Sequence, residues 1–259
     1  MDLGDRMKMY EQLALSRAMP GLPLAVRLDG KRFSKWTRGL ERPYDARLSA
    51  VMVETTKALV KETGAVIGYT QSDEITLVFY EENYNSQMWL GGRYQKMASI
   101  TASIATAYFG VAATRLIPEK VGRLAFFDSR AFALPSKEEA ANAVLWREID
   151  ATKNSISMAC RNFYSHKEMH KKSAPQMQEM IFQKGVNWND YPAFFKRGTF
   201  VRRVVASRLL TEQEMSRGPQ EQKMVMRSSI EEIEMPPFRT VANRVAVIFE
   251  GDTPVCLEV

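Results

Sequence analysis

The chain has 259 residues, 45 % of them hydrophobic and 25 % charged, with a net charge of +6. This is the composition of a soluble globular protein long enough for one large domain, with no internal repeat, no low-complexity segment, no signal peptide and no apolar run long enough to span a membrane. Two lone cysteines, Cys160 and Cys256, exclude a disulfide framework and a cysteine zinc site. They point to a reducing compartment, the cytoplasm.

The spacing predicts a helix in "MKMYEQLALSRAM" and a strand in "LPLAVRLDG", residues 22–30. "DARLSAVMVETTKALVKETG" predicts an amphipathic helix with Asp45 as N-cap and Gly64 as stop. "AVIGYTQSD" and "EITLVFY" predict a hairpin around a polar turn. A long helix follows over residues 87–113, and its Ser99, Ala102, Ala105 and Ala107 are small enough for close packing. "GRLAFFDSRAFALPS" predicts a strand with a bulge near Asp128. The order β-α-β-β-α-β is the ferredoxin-like pattern, and hence an α+β fold of the polymerase-palm kind: an antiparallel sheet with both helices on one face.

From Lys137 the character changes. Residues 136–169 are helical and polar, and a basic stretch "SHKEMHKKSAP" follows. His166 and His170 stand at helical i, i+4 spacing, but no third ligand is near, so a metal site there is not expected. Ser173 and Gln176 predict a capping box for the helix "APQMQEMIFQKG". "RGTFVRRVVASRLL" and "MVMRSSIEEIEM" predict two strands joined by a loop at "SRGPQEQK". We therefore expect a catalytic core over 1–136 and an extension over 137–259 packed on the same fold.

The stretch "VRLDGKRFSKW" ends a buried strand on a carboxylate, and "SDE" puts Ser72, Asp73 and Glu74 in the hairpin turn. In a palm, that strand and hairpin are neighbours, so Asp29 and Asp73 meet. Two adjacent carboxylates repel unless a cation lies between them. Two Mg²⁺ ions are the expected resolution, since hard cations take oxygen ligands and a pair about 4 Å apart serves in-line phosphoryl displacement. Gly30 would let the backbone approach a metal or phosphate closely, and Lys31 and Arg32 would balance phosphate charge. Arg42 precedes the first core helix. Arg93 and Lys96 share one face near the start of the second, just after the hairpin.

"VRLDGKRF", "RPYD", "YTQSDEITLVF", "GGRYQKMASITASIATAYF", "FDSRAFALPS", "WREIDATKNSI" and "FKRGT" occur in the order and near the spacing of the tRNA-His guanylyltransferase superfamily, which the chain resembles over residues 1–200. The resemblance implies a palm-like enzyme that adds nucleotides 3′-to-5′ at the 5′ end of tRNA, using ATP and GTP. The 5′ end is activated first, and the 3′-hydroxyl of the incoming nucleotide then attacks it. It implies two Mg²⁺ held by Asp29, the Gly30 carbonyl and Asp73, with Glu74 at the adjacent acidic position. It further implies nucleotide contacts from Asp29, Gly30, Lys31, Arg32, Phe33, Ser34, Ser72 and Asp73. Arg42, Arg93 and Lys96 would lie on the triphosphate, Asn154 on tRNA, and the assembly would be a homo-tetramer.

Two departures matter. Eukaryotic members carry a "HINN"-type stretch where this chain has "TKNS", so Thr152 replaces a histidine that helps select the tRNA-His anticodon. Ser34 likewise replaces a histidine of "DGRNFH". The chain resembles the guanylyltransferase-like branch, whose members repair truncated 5′ ends by templated addition. Its tRNA affinity is then expected from phosphate contacts by Lys171, Lys172, Lys196 and Arg197. Alternatives are a tRNA-His-specific enzyme, a nucleotide cyclase (although "QSDEI" stands where diguanylate cyclases have "GGDEF"), and a noncatalytic RNA-binding protein.

Overall fold

A computed structural model describes residues 1–13, 15–84, 86–209 and 224–257. The helix α1 (Leu3–Leu13) stops well short of the expected Met19. None of its residues is buried, so no packing extends it. The strand β1 (Leu24–Gly30) follows, then a single turn α2 (Phe33–Trp36) and the helix α3 (Ala46–Thr63). Asp45 caps α3 by accepting from the Arg47 N–H, and Gly64 closes it at φ 72°, as its sequence predicts.

β2 (Ile67–Gln71) and β3 (Glu74–Phe79) form the expected hairpin. The long helix α4 (Tyr94–Leu116) starts later than expected. Leu90, Gly91 and Gly92 all take positive φ, and this left-handed turn separates residues 89–92 from the helix. By length and composition α4 could cross a bilayer, contrary to the sequence reading. Its Met97, Thr101, Ala105, Phe109 and Ala112 form the buried stripe of a core helix. β4 (Phe127–Ala133) pairs with β1 in unbroken register from Leu24↔Ala133 to Gly30↔Phe127. The bulge expected near Asp128 is absent, and Asp128 lies directly opposite Asp29.

α5 (Lys137–Arg161) is followed by α6 (His166–Met169), α7 (Ala174–Phe182) with its Ser173/Gln176 capping box, and α8 (Ala193–Arg197). β5 (Thr199–Leu209) and β6 (Met224–Ile233) pair along their length, and α9 (Arg244–Phe249) lies near the end. The expected loop at 216–223 lies outside the described residues.

The sheet order is β4-β1-β3-β2-β5-β6, with every pair antiparallel. The first four strands carry the ferredoxin-like order. Strand alternation sends Val26, Leu28, Ile75 and Leu77 to the face covered by α3 and α4. Ile67, Tyr69 and Val78 point the other way, against α5, Phe238 and α9. Phe33, Trp36, Phe109 and Phe127 cluster under the end of β1, their ring centroids 5.1 to 5.7 Å apart. Burying each such ring is worth roughly 1.5–3 kcal/mol. That cluster fixes the turn that follows Asp29.

Candidate functional site

The site grows from strand register. Asp29 is the penultimate residue of β1 and pairs with Glu74 on β3 and with Asp128 on β4. The Gly30 N–H donates to the Asp73 carbonyl at 3.0 Å, which brings the hairpin turn to the end of β1. Ser72 holds that turn at φ 55° and donates to Asp73 Oδ1 at 3.1 Å. Asp29 and Asp73 therefore do come together, as the sequence predicts. Burial raises the Asp29 carboxyl, and the charges of Glu74 and Asp128 raise it further. Burial pushes Asp73 up to about 6, with smaller contributions from Asp29 and Glu74.

Glu74 has a different environment. Arg27 Nη2 donates to Oε1 at 2.6 Å, and Arg147 of α5 donates to Oε2. Arg147 also pairs with Asp150 at 3.2 Å. Two guanidiniums thus neutralise Glu74, while neither Asp29 nor Asp73 has an ion pair among the described residues, and Arg27 and Arg130 act on Asp29 only from a distance. Arg27 Nε is buried without an acceptor among the described residues, a cost that its pairing with Glu74 offsets.

Packing gives Gly30 a reason of its own, beside the close backbone approach expected of it. A Cβ there would sit 2.3–2.7 Å from atoms of the Phe33 ring. Phe33 itself is only 3 % exposed, with its ring in the aromatic cluster and against the cleft beside Asp73. Lys31 and Arg32 are exposed on the turn, and Arg32 holds φ 57°. A cleft of about 390 Å³ opens beside Asp73, lined by Ser34, Arg42, Tyr44, Ser72, Arg161 and Asn162 among others. The structure therefore assembles Asp29, Gly30, Ser34, Arg42, Ser72, Asp73 and Glu74 in one region.

Arg93 and Lys96 are not brought there. α4 packs on the opposite sheet face, and its first turn lies toward the Leu24–Phe79 end, where Trp89 stacks on Phe79 at 5.9 Å. Arg93 precedes Thr101, whose hydroxyl meets Ser129 next to Asp128, by about 12 Å of helix. Being near the hairpin in sequence does not put them near its turn, because β3 leads away from the turn before α4 begins. Of the expected tRNA contacts, Asn154 is exposed on α5 and donates to Asp150 at 3.3 Å. Lys171 and Lys172 are exposed between α6 and α7. Lys196 is half-buried, donating to the Asn189 carbonyl over the Trp188 ring, and burial lowers its pKa. Arg197 is half-buried and its carbonyl accepts from Tyr69 Oη at 2.8 Å.

Sequence reasoning missed Arg27, Asp128, Arg147, Arg161 and Asn162. Arg27 was within reach, since residues two apart on a strand share a face. The others became neighbours only through strand order and the path of α5.

The oxygen donors fit a magnesium ion. Mg²⁺ is held through one or two carboxylates, with water and substrate phosphate completing its shell. Asp29 and Asp73 are such a pair, partly buried, with Asp29 repelling Asp73 and no ion pair to either among the described residues, although the charges of Arg27 and Arg130 oppose the rise at Asp29. No group of three or more His, Cys, Asp or Glu able to enclose a metal occurs among the described residues, which disfavours a closed structural site.

A profile of the tRNAHis guanylyltransferase family (Thg1) matches residues 4–135. The chain belongs to this family. A protein of Acanthamoeba polyphaga mimivirus is 30 % identical over 224 residues, covering 78 % of this chain and 77 % of that one. The tRNA(His) guanylyltransferase of Saccharomyces cerevisiae is 26 % identical over 203 residues, covering 71 % and 84 %. A bacterial guanylyltransferase-like protein solved in complex with ATP superposes with a TM-score of 0.73 at 38 % identity, covering 78 % of this chain and 88 % of that one. A second, in complex with GTP, gives 0.73 at 32 % identity over 92 % and 94 %. The core is palm-like, and the chain is a nucleotidyltransferase.

Proposed function

We propose that this enzyme adds nucleotides in the 3′-to-5′ direction to the 5′ end of tRNA, as templated repair of 5′-truncated molecules. The observation that carries this reading is the Asp29–Asp73 pair at a nucleotide-sized cleft, in a chain similar to bacterial proteins that bind ATP and GTP. The Asp29 and Asp73 carboxylates and the Gly30 carbonyl would hold two Mg²⁺, which supply charge stabilisation for phosphoryl transfer. Ser34, Ser72 and Arg42 orient the incoming nucleotide, and Lys31 and Arg32 attract its phosphates. Its 3′-hydroxyl gives up its proton to solvent as the oxygen bonds to the activated 5′ phosphorus. The leaving group is pyrophosphate from a triphosphate end, or AMP from an adenylylated one. The Glu74 ion pairs fix the strand end from which Asp29 projects.

Thr152 in place of an anticodon-reading histidine supports a repair role over tRNA-His selection. Residues 1–136 then carry the metal ligands, and 137–259 contribute α5 and the tRNA-facing surface. The enzyme works in the cytoplasm, in keeping with two free cysteines, and as a homo-tetramer in which Arg93 and Lys96 serve the site of another subunit. Incubation with several tRNAs lacking one 5′ nucleotide tests the reading. Extension that follows the truncation and the templating base supports it. Addition that follows the GUG anticodon on any tRNA body makes the enzyme tRNA-His-specific, and cyclic products from nucleotide alone would make it a cyclase.

A further inference from the structure

Trp146 is 55 % exposed on α5, although tryptophan is costly to leave in water. It faces the side of the sheet that carries Arg27, Asp29 and Glu74. The guanidinium carbon of Arg27 lies 5.6 Å from its ring centroid, and that of Arg147 lies 4.7 Å away. The floor beside it is open: Asp128, Arg130 and Phe132 of the edge strand β4 are all exposed and all point to this face. Arg27 and Asp29 are two strand residues apart, about 6.6 Å. The ring thus packs beside two guanidiniums, both ion-paired to Glu74, on the sheet face that carries Asp29.

A rigid aromatic ring with neighbouring guanidiniums is the means by which proteins grip an unstacked nucleobase. Such contacts tolerate any base, because every base has a π face. The nucleotide cleft lies elsewhere along α5, around Met158, Arg161 and Asn162. Twelve residues of helix, about 18 Å, separate Met158 from Trp146. The reactant that meets Trp146 is therefore the other one. We propose that Trp146 is a stacking platform for the terminal base of the RNA 5′ end, holding that end against Asp29. The assignment rests on the tRNA reading above and names the residue that grips its acceptor.

The test measures binding, apart from addition. A labelled acceptor-stem hairpin with a 5′-triphosphate is titrated by anisotropy, beside the same hairpin made abasic at its first nucleotide. The wild-type chain and W146F are expected to bind the base-bearing hairpin about tenfold more tightly than the abasic one. In W146A that preference should vanish. In parallel, the hairpin should quench a component of tryptophan emission that W146F lacks, and ATP alone should leave that component unchanged. Equal binding of both hairpins by the wild type, or a preference that survives in W146A, overturns the platform. Quenching by ATP in place of the hairpin also overturns it, since the ring would then belong to the incoming nucleotide. If the preference appears but no nucleotide is added, the platform stands and the reaction reading falls.

Discussion

Arg147 on α5 donates to the carboxylate of Glu74 on β3, with its own side chain only 7 % exposed. This contact pins the helical layer to the strand beside the acid pair. Breaking a buried pair strands one charge, but Arg27 still covers Glu74 at 2.6 Å, so the cost falls below the usual range. We expect Arg147→Ala to destabilise by about 2 kcal/mol and to lower the melting temperature by about 5 °C. A thermal melt superimposable on the wild type would show that the pair contributes nothing.

Asp29→Ala and Asp73→Ala should each abolish nucleotide addition while leaving the circular dichroism spectrum unchanged. Removing either carboxylate relieves repulsion in the metal-free protein, so neither substitution threatens the fold. Near-normal incorporation by either purified variant at ordinary Mg²⁺ would rule out the metal role of that residue.

Protons should compete with Mg²⁺ at Asp73. Its folded pKa is raised from 3.8 to about 6, so below that pH the folded carboxyl is protonated and a poor ligand. The half-saturating Mg²⁺ concentration should climb up to about tenfold per unit as pH falls below 6. In the metal-free protein the sign is opposite. The folded state holds an extra proton between about pH 4 and 6, so stability from this group is greatest at low pH and is lost as pH rises through 6. Isothermal titration at several pH values, with melts in chelator, reads both effects. A flat Mg²⁺ affinity from pH 5 to 7 would contradict the assignment.

Gly30→Ala would drive a methyl into the Phe33 ring. Overpacking of this kind costs about 1–3 kcal/mol, and here it also displaces the turn between Asp29 and the cleft. We expect a lowered melt together with loss of activity. Full activity in G30A would mean that the ring moves aside freely and does not fix the turn.

Arg93→Ala and Lys96→Ala should each weaken triphosphate use by about 10- to 100-fold through loss of a charge-assisted contact. If these residues serve another subunit, co-assembling inactive D29A with weakened R93A should restore about a quarter of the sites to full triphosphate use in a random two-chain pairing. Activity of the mixed oligomers no greater than the sum of the two parents at low triphosphate would refute service in trans.

The parts legible in the sequence were those fixed by neighbours along the chain. Asp45 and Gly64 bound α3, Ser173 and Gln176 box α7, and Ser72–Asp73 turn the hairpin. Asp29 and Asp73 could be paired because the β-α-β-β order implies adjacency. What escaped was set by cross-strand neighbours and helix direction. Asp128 reads as a bulge until its register with Asp29 is known. Arg93 reads as close to the turn until β3 is seen to carry the chain away from it. Arg147 is one arginine in a polar helix until α5 is laid across the sheet.

α5 is a single unbroken helix of 25 residues, about 37 Å long. It carries Trp146 and Arg147 near its middle and Met158 and Arg161 near its end. Their relative placement is a matter of phase. One residue inserted between 147 and 158 would swing everything beyond it by about 100° and advance it by about 1.5 Å. Arg147 could then keep Glu74 only if Met158 and Arg161 left the cleft. This helix should therefore accept many substitutions on its outer face yet tolerate no change in length, and deletion scanning should find here a hard limit that the connecting loops lack.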